Sequence, residues 1–271
     1  MTSLSQLISH RFRGFSKHEN STEGLNNALT FGVDLVEFDV RIAKCGTPMV
    51  YHDEFAYDSV GKKRYLCDII ARDFPSLGGV FAHIPTLSQI LEVAASHSNQ
   101  SCKLLIDIKD AGFEEEIHAL VMEYRLLNRT VFVSWLPEVL YRLHNLAPQT
   151  PLCLSHWCNE PGENVRAFHN VFESINGEIP RTDRIYIHGE RSGWYINGSL
   201  KGELRQILKS SRGSVCVPQS MLTSNLVEEY HRDSIAVSAF SYVTLESIQA
   251  HARKFNIDFY FIDNKDVFND I

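Results

Sequence analysis

Eight short apolar runs recur along the chain, at Leu7–Arg11, Leu35–Val40, Leu104–Lys109, Val131–Trp135, Leu152–Trp157, Val215–Val217, Ile235–Phe240 and Phe259–Asp263. Each is too short for a typical helix and carries few polar positions. That pattern predicts strands covered on both faces, as in a parallel sheet. Amphipathic helical patterns fall between the runs. Ser21 or Thr22 caps one that carries Leu25, Ala28 and Leu29, with Gly32 at its C′ position. Thr86-Leu87-Ser88-Gln89 reads as a capping box ahead of Ile90, Leu91, Ala94 and Ala95. Phe113, Ile117, Leu120, Val121 and Tyr124 form another stripe at helical spacing. Pro137 opens a helix with Val139, Leu140, Leu143 and Leu146, and Pro148 follows its end. Leu226, Val227 and Tyr230 mark a shorter helix. Leu245, Ile248, Ala252 and Phe255 mark the last, with Asn256 as its C-cap.

Strand and helix in alternation, about eight times, predict an α/β chain folded as one (β/α)8 TIM barrel over residues 1–271. Two stretches exceed the repeat and are expected as insertions. One is small and follows the second strand, at about 54–85. The other lies in the C-terminal half, at about 159–213, and holds an extra run, Arg184-Ile185-Tyr186-Ile187-His188.

Composition narrows the partners. Hydrophobic residues make up 44% of 271, enough for a sizeable core, and the formal charge is −7. No basic stripe is present, so nucleic acid is not an expected partner. No run of about 18 apolar residues predicts a membrane span, and no leader peptide is expected from Met1–Ile8. The six cysteines make no CxxC pair, and several lie in apolar runs. Buried thiols in a reducing, cytoplasmic compartment are expected. No feature encodes an oligomeric state.

The chemistry concentrates at a few strand ends. In Leu35-Val36-Glu37-Phe38-Asp39-Val40, Glu37 and Asp39 share one face of a strand. Two adjacent carboxylates in an apolar setting repel each other and resist desolvation, and a bound cation relieves both. The alternative is a surface-facing strand with salt-bridged acids. In Leu105-Ile106-Asp107-Ile108-Lys109, Asp107 is placed to complete a metal site and Lys109 to bind an anionic oxygen; an internal Asp–Lys ion pair is the alternative. Of twelve histidines, eight lie in helical or loop stretches where surface positions explain them, and His156 and His188 are ambiguous. His10 ends the first strand beside Arg11. His52 ends Met49-Val50-Tyr51 and is followed by Asp53. Barrel active sites lie at the C-terminal ends of the strands, where His10, Glu37, Asp39, Asp107 and Lys109 fall.

These residues resemble the glycerophosphodiester phosphodiesterase family. That family opens with His-Arg-Gly at a strand end, then Glu-Asn-Thr, Glu-x-Asp-Val and His-Asp. Here stand His10-Arg11, Glu19-Asn20-Ser21, Glu37-Phe38-Asp39-Val40 and His52-Asp53, in that order. Pro85-Thr86-Leu87, Ile106-Asp107-Ile108-Lys109 and Phe261-Ile262-Asp263-Asn264 are similar to later family segments. The departures are Phe12 in place of Gly, Ser21 in place of Thr, and Asp107 in place of Glu. An Asp-x-Lys pair is also found in the related spider-venom phospholipase D enzymes. The family's late aromatic has no clear counterpart; Phe240, Trp135 and Trp194 are the candidates.

The resemblance and the residue chemistry together imply metal-dependent hydrolysis of a small-molecule glycerophosphodiester. Glu37, Asp39 and Asp107 would hold one divalent cation, Mg2+ or Ca2+. Arg11 and Lys109 would bind the substrate phosphate, and His10 and His52 would serve as acid and base. Glu19, Asn20 and Asp53 would support the cluster. Two rivals use the same barrel. One is a phospholipase D-like lyase that stops at a cyclic phosphate; no apolar lip for a membrane is visible in the sequence. The other is an inactive barrel that acts as a binding protein.

Overall fold

The computed structural model describes residues 3–159, 173–174, 186–187, 191–192 and 195–270, with side chains described outside 157–197. Of the Arg184–His188 run only the backbone of Tyr186–Ile187 is described, and the side chains of Trp194 and Cys158 lie outside the described residues.

Eight parallel strands close into a barrel. They are β1 Leu7–His10, β2 Leu35–Ile42, β3 Lys103–Ile108, β4 Thr130–Ser134, β5 Leu152–Ser155, β6 Ser214–Pro218, β7 Ala236–Tyr242 and β8 Phe259–Ile262. Each pairs with its neighbour in sequence, and β1 pairs with both β2 and β8, which closes the ring. Among the described residues seven helices alternate with them: α1 Thr22–Phe31, α2 Leu87–Ser96, α3 Glu114–Glu123, α4 Pro137–Leu146, α5 Gly202–Ser210, α6 Ser224–His231 and α7 Leu245–Phe255. A 3-10 turn, Lys265–Phe268, follows β8.

The helix ends follow from the residues at them. Ser21 Oγ accepts from the Gly24 N–H, and Gly32 closes α1 at φ +94°. Thr86 and Gln89 form their reciprocal cap at α2. Asn256 closes α7 in the left-handed region. The parity of the strands divides the core in two. Val36, Phe38 and Val40 of β2 point outward to the helices, as do Leu104, Ile106 and Ile108 of β3. Ile8, Leu35, Leu105, Val133, Cys153, Cys216 and Phe261 fill the barrel interior.

Strand β2 runs two residues beyond the apolar run that predicts it. Arg41 and Ile42 pair with Met49 and Pro48 in an antiparallel strand, Pro48–Val50, outside the ring. Residues 54–85 hold the hairpin Phe55–Tyr57/Lys63–Tyr65 and a short helix, Phe74–Leu77. Their small core gathers Ala56, Leu66, Phe74, Phe81 and Ile84 on Ala43 and Met49. The expected second insertion is shorter than 159–213, because Gly202–Ser210 is α5, a regular barrel helix that buries Leu204, Ile207 and Leu208. The cysteine expectation needs a correction too. Cys102, Cys153 and Cys216 are buried, but Cys45 and Cys67 are exposed, since Cys45 lies in a turn and Cys67 in a surface 3-10 turn of the first insertion, neither in a barrel strand.

Candidate active site

The interior parity carries directly into the site. Along β1, Ile8 is followed two residues on by His10. Along β2, Leu35 leads to Glu37 and Asp39. Along β3, Leu105 leads to Asp107 and Lys109. Along β8, Phe261 leads to Asp263. In each strand the apolar residue plugs the barrel and the polar one lies further toward the C-terminal end. Register then sets who meets whom: His10 lies level with Glu37, and Asp39 level with Asp107.

Glu37, Asp39 and Asp107 are all buried, and one oxygen from each lies within 4.8 Å of the others. Such a cluster needs positive charge. Arg11 Nε lies 3.1 Å from Asp39 Oδ2, and Lys109 Nζ lies 3.0 Å from Asp39 Oδ1 and pairs with Asp107 Oδ2. These cations hold the Asp39 carboxyl well below the usual carboxylate range despite its burial. Glu37 fares differently. Burial, then the charges of Asp39 and Asp107, push its carboxyl well above its ordinary value. Glu37 Oε2 and Asp107 Oδ1 are buried without a hydrogen-bond partner among the described residues. Converging carboxylates with unsatisfied buried oxygens are the donor set a hard divalent cation takes, so Glu37, Asp39 and Asp107 fit a Mg2+ or Ca2+ ion.

Two imidazoles flank the cluster, each tied to a carboxylate. His10 Nδ1 donates to Asp263 Oδ1 at 2.6 Å, and its Nε2 lies 3.7 Å from Glu37 Oε2. His52 Nδ1 donates to Asp53 Oδ1 at 2.6 Å. A carboxylate can only accept, so in both rings the proton sits on Nδ1 and Nε2 keeps its lone pair. Burial, and then Arg11, push His10 down to about 4, against the pull of Asp263. Burial lowers His52 as well.

The loop after β1 holds Arg11 in place by an unusual backbone. Arg11 and Phe12 both adopt the left-handed region, at φ +57° and +58°. Where the family pattern has Gly, this chain puts a Phe ring wholly into the core, 5.8 Å from Phe38. Arg11 N–H donates to the Glu37 carbonyl at 2.9 Å, and the Arg11 carbonyl accepts from Asn20 N–H at 2.8 Å. Asn20 clamps Asp39 at two points: its Nδ2 donates to Oδ2 at 2.9 Å, and its Oδ1 accepts from the Asp39 N–H at 3.3 Å. Glu19 lies 3.4 Å from Arg11 and 2.6 Å from Arg13.

The ten residues singled out from the sequence therefore gather at one end of the barrel. Four others belong with them. Asp263, 253 positions from His10, is the carboxylate on its Nδ1, and Arg13 NH1 lies 2.7 Å from the other Asp263 oxygen. Arg41 Nε donates to the His52 carbonyl at 2.9 Å, and its NH1 donates to Asp110 at 2.8 Å. The parity of Phe259, Phe261 and Asp263 could have placed Asp263 on the inner face; no local signal marks Arg41 and Asp110. Of the aromatic candidates, Trp135 is buried and Phe240 packs 6.5 Å from Phe261 at the barrel mouth.

Residues 9–161 match the model of the Glycerophosphoryl diester phosphodiesterase family, more than half of the chain. The chain belongs to that family. Its relatives within it include the human Glycerophosphodiester phosphodiesterase 1, 26% identical over 162 residues, covering 55% of this chain and 48% of the human one. A Glycerophosphodiester phosphodiesterase from Caldanaerobacter subterraneus is 26% identical over 165 residues, covering 56% of this chain and 67% of its own length. The chain thus spans about half the length of the human relative. In fold it is similar to a phosphodiesterase from Oleispira antarctica, solved in complex with the product sn-glycerol-3-phosphate. That match has a TM-score of 0.64 and 18% identity, over 97% of this chain and 95% of the other. Among the described residues no helix is long and apolar enough to cross a membrane.

Proposed function

We propose that the chain, acting as a single domain, hydrolyses small glycerophosphodiesters to glycerol 3-phosphate and an alcohol with the help of one divalent cation, Mg2+ or Ca2+. The observation that carries this reading is the convergence of three buried carboxylates with two imidazoles whose Nδ1 atoms are both held by carboxylates. Family membership supports it, and so does the glycerol phosphate bound to the Oleispira protein.

Glu37, Asp39 and Asp107 would hold the cation. When bound, it neutralises charge on a phosphodiester oxygen and makes a hydroxyl or water more acidic. Arg11 and Lys109 offer fixed cationic donors to the phosphate oxygens as negative charge builds there. In-line displacement removes a proton from the attacking oxygen on one side of phosphorus and returns one to the leaving oxygen on the other. His10 and His52 divide those two tasks between them. Burial lowers both imidazoles, so either Nε2 can take the proton from the attacking oxygen; the ring that serves as acid starts the cycle protonated on Nε2, its charge balanced by its carboxylate partner. Asp263 and Asp53 fix the rings and stabilise them when charged. Asn20 and Glu19 hold Asp39 and Arg11 in place. A reducing, cytoplasmic setting suits the buried thiols of Cys102, Cys153 and Cys216.

The test is His10→Ala and His52→Ala, assayed on glycerophosphocholine with millimolar Mg2+ or Ca2+. Each variant should lose about 10² or more in kcat while remaining folded. Wild-type turnover by both would remove the two histidines from the chemistry.

A further inference from the structure

We propose that the hairpin Phe55–Tyr65 is a docking surface for an anionic lipid bilayer, set at the rim of the candidate site. The inference goes beyond the catalytic reading and does not depend on it.

The hairpin has two unlike faces. In its register Phe55 pairs with Tyr65, Ala56 with Arg64 and Tyr57 with Lys63. Alternation puts Ala56 inward, where it is buried on Leu66, Phe74 and Phe81. The opposite face carries Phe55, Tyr57, Lys63 and Tyr65. Phe55 meets Tyr57 and Tyr65 edge-on at 6.0 and 5.9 Å, and Lys63 Nζ lies 3.6 Å above the Phe55 ring. Tyr57 is 52% exposed, Tyr65 42%, and Val60 at the tip 84%. Val80, 39% exposed, follows the Gly78–Gly79 segment that packs against the tip. No described element covers these side chains.

The surface is also fixed. Ser59 N–H donates to the Leu77 carbonyl, and Leu66 N–H donates to the Glu54 carbonyl, both at 2.9 Å. Asp58 is buried in the turn and accepts from the Val60 and Lys62 N–H groups and from Arg64 Nε. Little ordering remains to be done on docking.

Charge and chemistry choose the occupant. The hairpin exposes Lys62 and Lys63, while Arg64 and the buried Asp58 offset each other, in a chain whose net charge is −7. Rigid tyrosines, an exposed aliphatic tip and lysines with apolar stems suit the headgroup layer of an anionic membrane. The surface begins at Phe55, three residues beyond His52, so docking would bring the candidate site to the lipid. The apolar lip that the sequence does not announce is formed by alternation across two three-residue strands.

The experiment is co-sedimentation of the full chain with phosphatidylcholine vesicles with and without 30 mol% phosphatidylserine, in chelator. Binding should be about tenfold stronger on the anionic vesicles and should weaken as salt is raised. Lys62→Gln with Lys63→Gln should reduce it by about tenfold, and Tyr57→Ser with Val60→Ser by a similar factor. All four side chains lie on the surface, so circular dichroism and turnover of a water-soluble glycerophosphodiester should not change. The proposal is overturned if anionic and neutral vesicles bind alike, or if the variants bind as the parent does. It is overturned equally if sedimentation shows these residues joining two copies of the chain.

Discussion

Phe12 offers a prediction in which a familiar trend reverses. Its side chain is wholly buried, and its backbone sits at φ +58°. Removing a buried Phe ring costs about 3–5 kcal/mol at an ordinary core position. The left-handed backbone costs about 1–2 kcal/mol for any residue with a Cβ. Phe12→Ala loses the ring and keeps the strained backbone. Phe12→Gly loses the ring and the strain together, but adds about 0.5–1 kcal/mol of unfolded-chain entropy. Both variants should therefore be destabilised by about 2–5 kcal/mol, with Gly more stable than Ala by up to about 1 kcal/mol. At most interior positions Gly is the worse of the two. Equilibrium unfolding in urea measures the order directly through the midpoints, provided the slopes match. If Phe12→Gly is less stable than Phe12→Ala, the buried ring is not holding a strained turn, and this account of the loop that carries Arg11 fails.

Two further predictions concern the imidazoles. His10 titrates at about 4 when folded and near 6.5 when unfolded. Between those values the unfolded chain binds a proton that the folded one does not, so this stability is complete above pH 6.5 and lost as pH falls toward 4. The loss is up to about 3 kcal/mol at about 1.4 kcal/mol per pK unit. Urea midpoints of metal-free protein at pH 4.5 and 7 should differ less in His10→Asn than in the parent; equal differences would refute the buried neutral ring. Glu37, raised by burial, acts in the opposite sense in both proteins. Arg41→Met releases the His52 carbonyl and should lower kcat about tenfold with little change in KM, partly rescued in Arg41→Lys. A change confined to KM would assign Arg41 to substrate binding instead.

What the sequence discloses is what depends on neighbours along the chain. All eight barrel strands coincide with apolar runs, because a strand covered on both faces is apolar at most positions. Helix ends at Ser21, Thr86 and Asn256 were legible because caps act within four residues. Glu37 and Asp39 share a face by alternation alone. Ring closure is different. Asp263 reaches His10 only because β8 returns beside β1, and no local pattern carries that. Arg41 and Asp110 meet across strands 69 positions apart. The exposed face of the Phe55–Tyr65 hairpin was hidden because its strands are too short to show a period. Gly202–Ser210 falls within the span expected as the second insertion because it lies far along the chain from β5, so no barrel strand directly ahead of it marks its amphipathic face as a barrel helix.

The central claim is that the three carboxylates and two imidazoles form a cation-dependent phosphodiesterase site. Phosphorus NMR of glycerophosphocholine incubated with the chain, with millimolar Mg2+ or Ca2+ and then with excess chelator, tests it most directly. The diester resonance should give way to that of glycerol 3-phosphate only while the cation is present, and Asp107→Asn should abolish the change. A diester that persists at millimolar cation, or hydrolysis that continues undiminished in chelator, would contradict the account.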